Sequence, residues 1–227
     1  MGLSFGPMFW ALIAVGAAAA AAYGLLFLNR PASLVRTGVK TLFLGAWTGA
    51  FAAAGAHPLL LIALASSALG DCFLAFDRKW LLPLGILSFL LAQLAYFFIF
   101  FFSWIFADDI SPLWPRYLTM AAIIATALGF LAWMAPKLGW MALGVVPYAI
   151  AITGMACMAM WLPWIGWPAM AGAASFLMSD FVLATELFRL PSDAPQRRFT
   201  APLVWWTYTA AQALIVWGIV RVAGDAS

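Results

Sequence analysis

The chain has 227 residues, of which 67% are hydrophobic and only 8% charged, against roughly 45–50% and about 25% in an ordinary soluble domain. Such a composition excludes a soluble globular protein, and 11 Lys and Arg against 8 Asp and Glu are too sparse to form the basic surface that nucleic acid requires. Cys72 and Cys157 lie in apolar runs with no second Cys or His at ligand spacing, so neither a disulfide framework nor a zinc site is expected.

A bilayer core about 30 Å thick takes roughly 17–25 mostly apolar residues per helix. Cutting the chain where charge, Pro and polar clusters interrupt the apolar runs predicts eight transmembrane segments, at about 7–28, 38–55, 58–76, 81–106, 115–134, 138–162, 164–188 and 201–223. The first is read as a retained helix: residues Met1 to Pro7 carry no basic side chain, unlike the head of a signal peptide. The fold class is therefore all-α, a polytopic bundle of about eight helices in a single integral membrane domain over residues 1–227. So little chain remains for loops that any chemistry must come from side chains within the bundle or at its mouth.

Orientation follows from the connections in chain order. The odd loops hold Arg30, Arg36, Lys40, Arg78, Lys79, Lys137, Arg189, Arg197 and Arg198, and the even side holds Arg116 and Arg221. Cytoplasmic loops carry the excess of Lys and Arg. Both termini are thus expected outside the cytoplasm, in a bacterial inner membrane. Twelve of the thirteen Trp fall near a segment end, where the interfacial belt forms; Trp47 alone does not.

Segment three ends in S-S-A-L-G-D-C-F-L-A (Ser66 to Ala75) and segment seven contains S-F-L-M-S-D-F-V-L-A (Ser175 to Ala184). Each precedes a charged loop and a helix with Ala-Gln and a nearby Tyr: Gln93 and Tyr96 in segment four, Tyr208 and Gln212 in segment eight. Both Asp segments run in the same direction, which suggests a four-plus-four parallel duplication. Chance similarity between apolar helices is the alternative.

An Asp within the bilayer costs about 2.5–3.5 kcal/mol on insertion scales and normally faces a cavity or a partner. Asp71 and Asp180 are the two clear cases, about 8 Å and about 12 Å from the cytoplasmic ends of their helices, and a shared cavity is expected for them. Tyr208 lies about 10 Å above the start of its helix, level with that pair. Gln93 with Tyr96, and Tyr208 with Gln212, each share a helix face, turned to the site or to interhelical hydrogen bonds. Lys40 is expected at the cytoplasmic interface, where it could hold a lipid phosphate, as could Arg36; snorkelling is the alternative. Tyr148 is either a packing or a site residue. Glu186 and Arg189, three apart, are expected to form an interfacial ion pair. His57 is read as a loop residue, and Gly45-x-x-x-Gly49 as a close-packing motif.

Four runs together carry a resemblance: G-D-x-x-L at Gly70 to Leu74, A-Q-L-A-Y at Ala92 to Tyr96, F-L-M-S-D-x-x-L-A at Phe176 to Ala184, and T-Y-x-x-A-Q at Thr207 to Gln212. With Lys40 at the head of segment two, they resemble the YhhN family of lysoplasmalogenases over nearly the whole chain. The resemblance implies an eight-helix membrane hydrolase that cleaves the vinyl ether bond of lysoplasmalogen to a fatty aldehyde and a glycerophospho-alcohol. It places Asp71 and Asp180 on the family's catalytic acidic positions. Family members usually carry His where this chain has Gln93, and Gln cannot shuttle a proton; either that His is dispensable or this chain differs in substrate or activity.

Vinyl ether hydrolysis needs a protonated acid and a charge-stabilising anion. Two neighbouring carboxyls cannot easily both ionise, so one can stay protonated while the other is anionic; the residues do not say which is which. The site expected is catalytic Asp71, Asp180 and Tyr208, with Lys40, Gln93, Tyr96, Tyr148 and Gln212 contacting substrate. No metal and no cofactor is expected. The expected partners are a lysophospholipid substrate and the bilayer, with no nucleic acid. A proton-coupled transporter or a non-catalytic lipid-binding protein is the rival reading. Carriers commonly break their site helices with Gly or Pro, whereas segments three and seven have no Pro beyond Pro58 and Pro168 near their outer ends.

Overall fold

The computed structural model describes residues 5–107, 110, 112–191 and 193–225, so the terminal residues whose side of the membrane was expected above lie outside the described ones. Every element among the described residues is helical: α1 (Pro7–Ala22), α2 (Leu34–Ala53), α3 (Pro58–Ala75), α4 (Leu82–Ile105), α5 (Leu113–Leu138), α6 (Ala142–Ala159), α7 (Trp167–Phe188) and α8 (Arg197–Asp225). These match the eight expected segments within a few residues. Six stretches among the described residues are long and apolar enough to cross a membrane, and the chain is a multi-pass membrane protein. The expected count of eight crossings is not reproduced by that measure. Leu113–Ala159 reads as one stretch, and α2, which carries Arg36, Lys40 and three Thr, is not among the six.

Two compact units divide the chain, residues Met1–Tyr96 and Phe97–Ser227, with the boundary inside α4. In the first, Pro7 opens α1, where its missing N–H costs nothing. The helix runs into a π-helical turn over Tyr23–Phe27 and stops ahead of Pro31. Ser33 caps α2 by accepting the N–H of Arg36 at 3.2 Å. His57, expected as a loop residue, caps α3: its Nδ1 accepts from the N–H of Leu59 at 3.2 Å, with Pro58 at the first helical position.

Helices α1 and α2 meet at Gly16, where a Cβ would lie 2.6 Å from the Phe43 carbonyl. The Trp47 indole fills the adjacent space and donates to the Ile13 carbonyl at 3.1 Å, which accounts for the one Trp outside the interfacial belt. Helices α3 and α4 pack with Phe89 over Gly70 and Leu74 against Gly85.

In the second unit, α7 and α8 approach most closely. A Cβ on Gly172 would sit 2.8 Å from the Ala211 carbonyl, and one on Gly218 would sit 2.5 Å from Ala169 Cβ. Ser175 and Ser179 donate across to the Thr207 and Val204 carbonyls at 2.8 and 3.0 Å. Arg116, expected only as an outer-side charge, is buried and donates to the Met160 and Leu162 carbonyls, the second at 2.7 Å. It satisfies carbonyls that the end of α6 would otherwise leave open.

Two expectations are corrected. No heavy atom lies within 4 Å of a Cβ built on Gly45, and only Leu12 Cδ1 does so for Gly49, at 3.7 Å, because both glycines lie on an outward face of α2 and close approach occurs at Gly16, Gly70, Gly172 and Gly218 instead. Glu186 and Arg189 form no ion pair. Arg189 lies over the Trp133 ring, 4.0 Å from its centroid, and donates to the Trp133 carbonyl, while Glu186 accepts from the Thr200 hydroxyl.

Candidate active site

In the first unit the buried carboxyl is Asp71, one turn from the end of α3. Lys40, in the second turn of α2, places Nζ 3.2 Å from Asp71 Oδ1, with the two side chains 14% and 2% exposed. Lys40 is therefore not a surface cation at the lipid interface but half of an ion pair inside the helix packing. Arg36, one turn below, ties the same two helices together: its Nη1 donates to the Ala75 carbonyl at 2.8 Å and to Asp77 Oδ2 at 3.0 Å. Asp77 adopts φ 52°, a left-handed conformation that Asp tolerates better than most residues. The Tyr23 ring lies under both cations, 5.6 Å from Arg36 Cζ and 5.7 Å from Lys40 Nζ. A shared aromatic face of this kind suits positive charge in a dry setting.

Gln93 and Tyr96 are fully buried on one face of α4. Neither the Gln93 Oε1 nor its Nε2 has a hydrogen-bond partner among the described residues. The interhelical bond that sequence allowed for Gln93 is thus not made. Thr37 and Thr41 also hold buried hydroxyls without a hydrogen-bond partner among the described residues, whereas Thr48, Thr153 and Thr185 bond back to the carbonyl four residues earlier. Sequence reasoning passed over both; their i, i+4 spacing flanking Lys40 was the available signal.

In the second unit the carboxyl is Asp180 in mid-α7, and Tyr148 of α6 donates its hydroxyl to Asp180 Oδ2. Tyr148 follows Pro147, which interrupts the hydrogen-bond ladder of α6. Two readings were open for Tyr148, and the structure makes it the partner of Asp180. No cation lies within ion-pair distance of Asp180 among the described residues, in contrast to Asp71. Tyr208 and Gln212 are buried on one face of α8, and the Tyr208 ring packs edge-on against Phe176 of α7 with centroids 5.4 Å apart.

The two intramembrane carboxyls thus differ: Asp71 has an ammonium among its partners, whereas Asp180 has a phenol and, among the described residues, no cation. The family model described as the YhhN family matches residues 33–219, a span that includes both. The chain belongs to the YhhN family. Proteins called lysoplasmalogenase from Mycobacterium bovis and Mycobacterium tuberculosis are each 34% identical to it over 178 residues, covering 74% of this chain and 64% of theirs. The chain therefore spans a little under two thirds of the length of these two relatives. No solved structure matches it.

Proposed function

We propose that this YhhN-family chain is a membrane-embedded hydrolase of the vinyl ether bond of lysoplasmalogen, or of a closely related lysophospholipid. Support comes from the relatives named lysoplasmalogenase and from one observation above the others: its two intramembrane carboxyls differ in the charge of their partners. Acid-initiated cleavage of a vinyl ether needs one carboxyl of each kind.

The reaction begins with proton transfer to the outer alkene carbon, which leaves an oxocarbenium ion. Water then adds to the carbon bearing the ether oxygen, and the hemiacetal collapses to a fatty aldehyde and the freed glycerol hydroxyl. Asp180 is assigned as the acid. Tyr148 holds its Oδ2, so Oδ1 is the atom that carries and delivers the proton. Asp71 is assigned as the carboxylate that stabilises the cation, its anionic form matched by Lys40. A positioned acid or base contributes about 10² to 10⁴ in rate. Tyr208 orients the water or the ether oxygen. An ammonium has three donors, so Lys40 can serve Asp71 and a substrate phosphate together, and Tyr96, Tyr148 and Gln212 complete the contacts.

The test is aldehyde release from lysoplasmalogen by the purified protein in detergent, where no gradient exists. Release at a rate above that of the Asp71→Asn, Asp180→Asn double variant supports the assignment. Equal release, or none together with gradient-driven uptake in vesicles, replaces the hydrolase by a carrier.

A further inference from the structure

Gln93 is 0% exposed, and both ends of its carboxamide lack a hydrogen-bond partner among the described residues. A buried amide left unpaired is destabilising, because it has given up its bonds to water and gained none in return. The same helix offers apolar residues of equal volume on every side, Leu90, Leu91 and Leu94 among them, so nothing in the packing of α4 calls for an amide here. An amide that no protein group satisfies is matched by a ligand offering one donor and one acceptor close together.

Its position follows from the register of α3 against α4. Leu74 packs on Gly85 and Phe89 on Gly70; four residues further up α4 and four further back along α3, Gln93 comes level with Ser66 and Ser67. Both serines are buried. That level is about one helical turn deeper in the first unit than the Lys40–Asp71 pair. In a lysophospholipid the phosphate is the outermost of these groups, and the glycerol C2 hydroxyl lies one phosphoester linkage inward. The C2 hydroxyl donates one proton, and its own oxygen or the adjacent ether oxygen accepts one.

We infer that Gln93 reads the free C2 hydroxyl of the substrate's glycerol, its Oε1 accepting from that hydroxyl and its Nε2 donating to the hydroxyl or neighbouring ether oxygen, so that it is the residue that selects lyso over C2-substituted ether lipids. The inference rests on the lysophospholipid reading above. A site built to bond a hydroxyl rejects the analogue that lacks it, because its own buried polar atoms are then stranded. Gln93 is a specificity residue and takes no part in proton transfer.

The test measures binding rather than turnover, so that its failure is separable from failure of the hydrolase assignment. The probes are a saturated 1-alkyl lysophospholipid, which has no vinyl ether to cleave, and its 2-O-methyl counterpart, titrated against the full chain in detergent. The wild type is expected to favour the free hydroxyl by at least about tenfold in Kd. Gln93→Met, matched in volume, brings the ratio to within about threefold of one, and Gln93→Leu does the same if the Met variant fails to purify as a single species. Gln93→His restores a donor and an acceptor on the ring and recovers the preference. A wild type that binds both probes equally, or a Met or Leu variant that keeps the wild-type ratio, overturns the inference whether or not aldehyde is released from lysoplasmalogen. A Gln93-dependent preference in a protein that releases no aldehyde upholds it and removes only the hydrolase.

Discussion

Lys40 Nζ lies 3.2 Å from Asp71 Oδ1 across the α2–α3 packing, and the consequence for stability is asymmetric. Removing one partner leaves a buried charge uncompensated, at a cost of about 3–5 kcal/mol, whereas replacing both with apolar groups of similar size is often close to neutral. Lys40→Met and Asp71→Leu are each expected to lower the melting temperature in detergent by several degrees, and the double variant to recover most of the loss. Additive single effects would mean that the pair is not coupled.

Turnover separates Asp180 from its partner. Asp180→Asn keeps the size of the side chain but delivers no proton, so aldehyde release is expected to fall by at least about 10². Tyr148→Phe removes only the hydroxyl that holds Oδ2, and a loss of about tenfold is expected. Equal losses in the two variants would mean that the Tyr148 hydroxyl is as necessary to proton delivery as the carboxyl it holds, and would overturn the assignment of Asp180 alone as the acid.

Glycine substitutions test the packing directly. Gly218→Ala puts a Cβ 2.5 Å from Ala169 Cβ, and overpacking of this kind costs about 1–3 kcal/mol. Gly45→Ala meets no heavy atom within 4 Å and is expected to be neutral or to stabilise by about 0.5–1 kcal/mol through helix propensity. Thermal unfolding of the two variants, measured side by side, should show a clear loss for Gly218→Ala and none for Gly45→Ala.

The nine-to-two division of Lys and Arg between alternate connections predicts topology. A reporter active only outside the cytoplasm should be active when fused after Ser227 and silent when placed between Ser192 and Gln196. Ser192 and Ser227 lie outside the described residues. The reverse pattern would invert the orientation.

Element boundaries were legible because Pro58, Pro168 and the charged connections interrupt otherwise continuous apolar runs, and helix starts are local in origin. The family was legible from four short motifs in their order. Partnerships were not. That Lys40 reaches Asp71 rather than the lipid interface depends on how α2 and α3 are rotated against each other, which an apolar pattern with little amphipathic bias does not encode. Gly45 and Gly49 illustrate the same limit: their spacing permits close approach, but the structure realises it at isolated glycines. Glu186 and Arg189 sit at ion-pair spacing, yet Trp133 of α5 captures the cation, a contact between residues far apart in the chain.

The ion pair between α2 and α3 also bears on how the chain enters the membrane. Residues are synthesised in order, so Lys40 reaches the insertion machinery before Asp71, and the connection between the two helices is short. Each helix alone would carry an ionised group into hydrocarbon, at about 2.5–3.5 kcal/mol on insertion scales. Entering as a hairpin, the two helices present a neutral pair. Their insertion is in this respect a single event, and a lesion at either residue is expected to appear first as reduced membrane yield during synthesis, ahead of any effect on turnover.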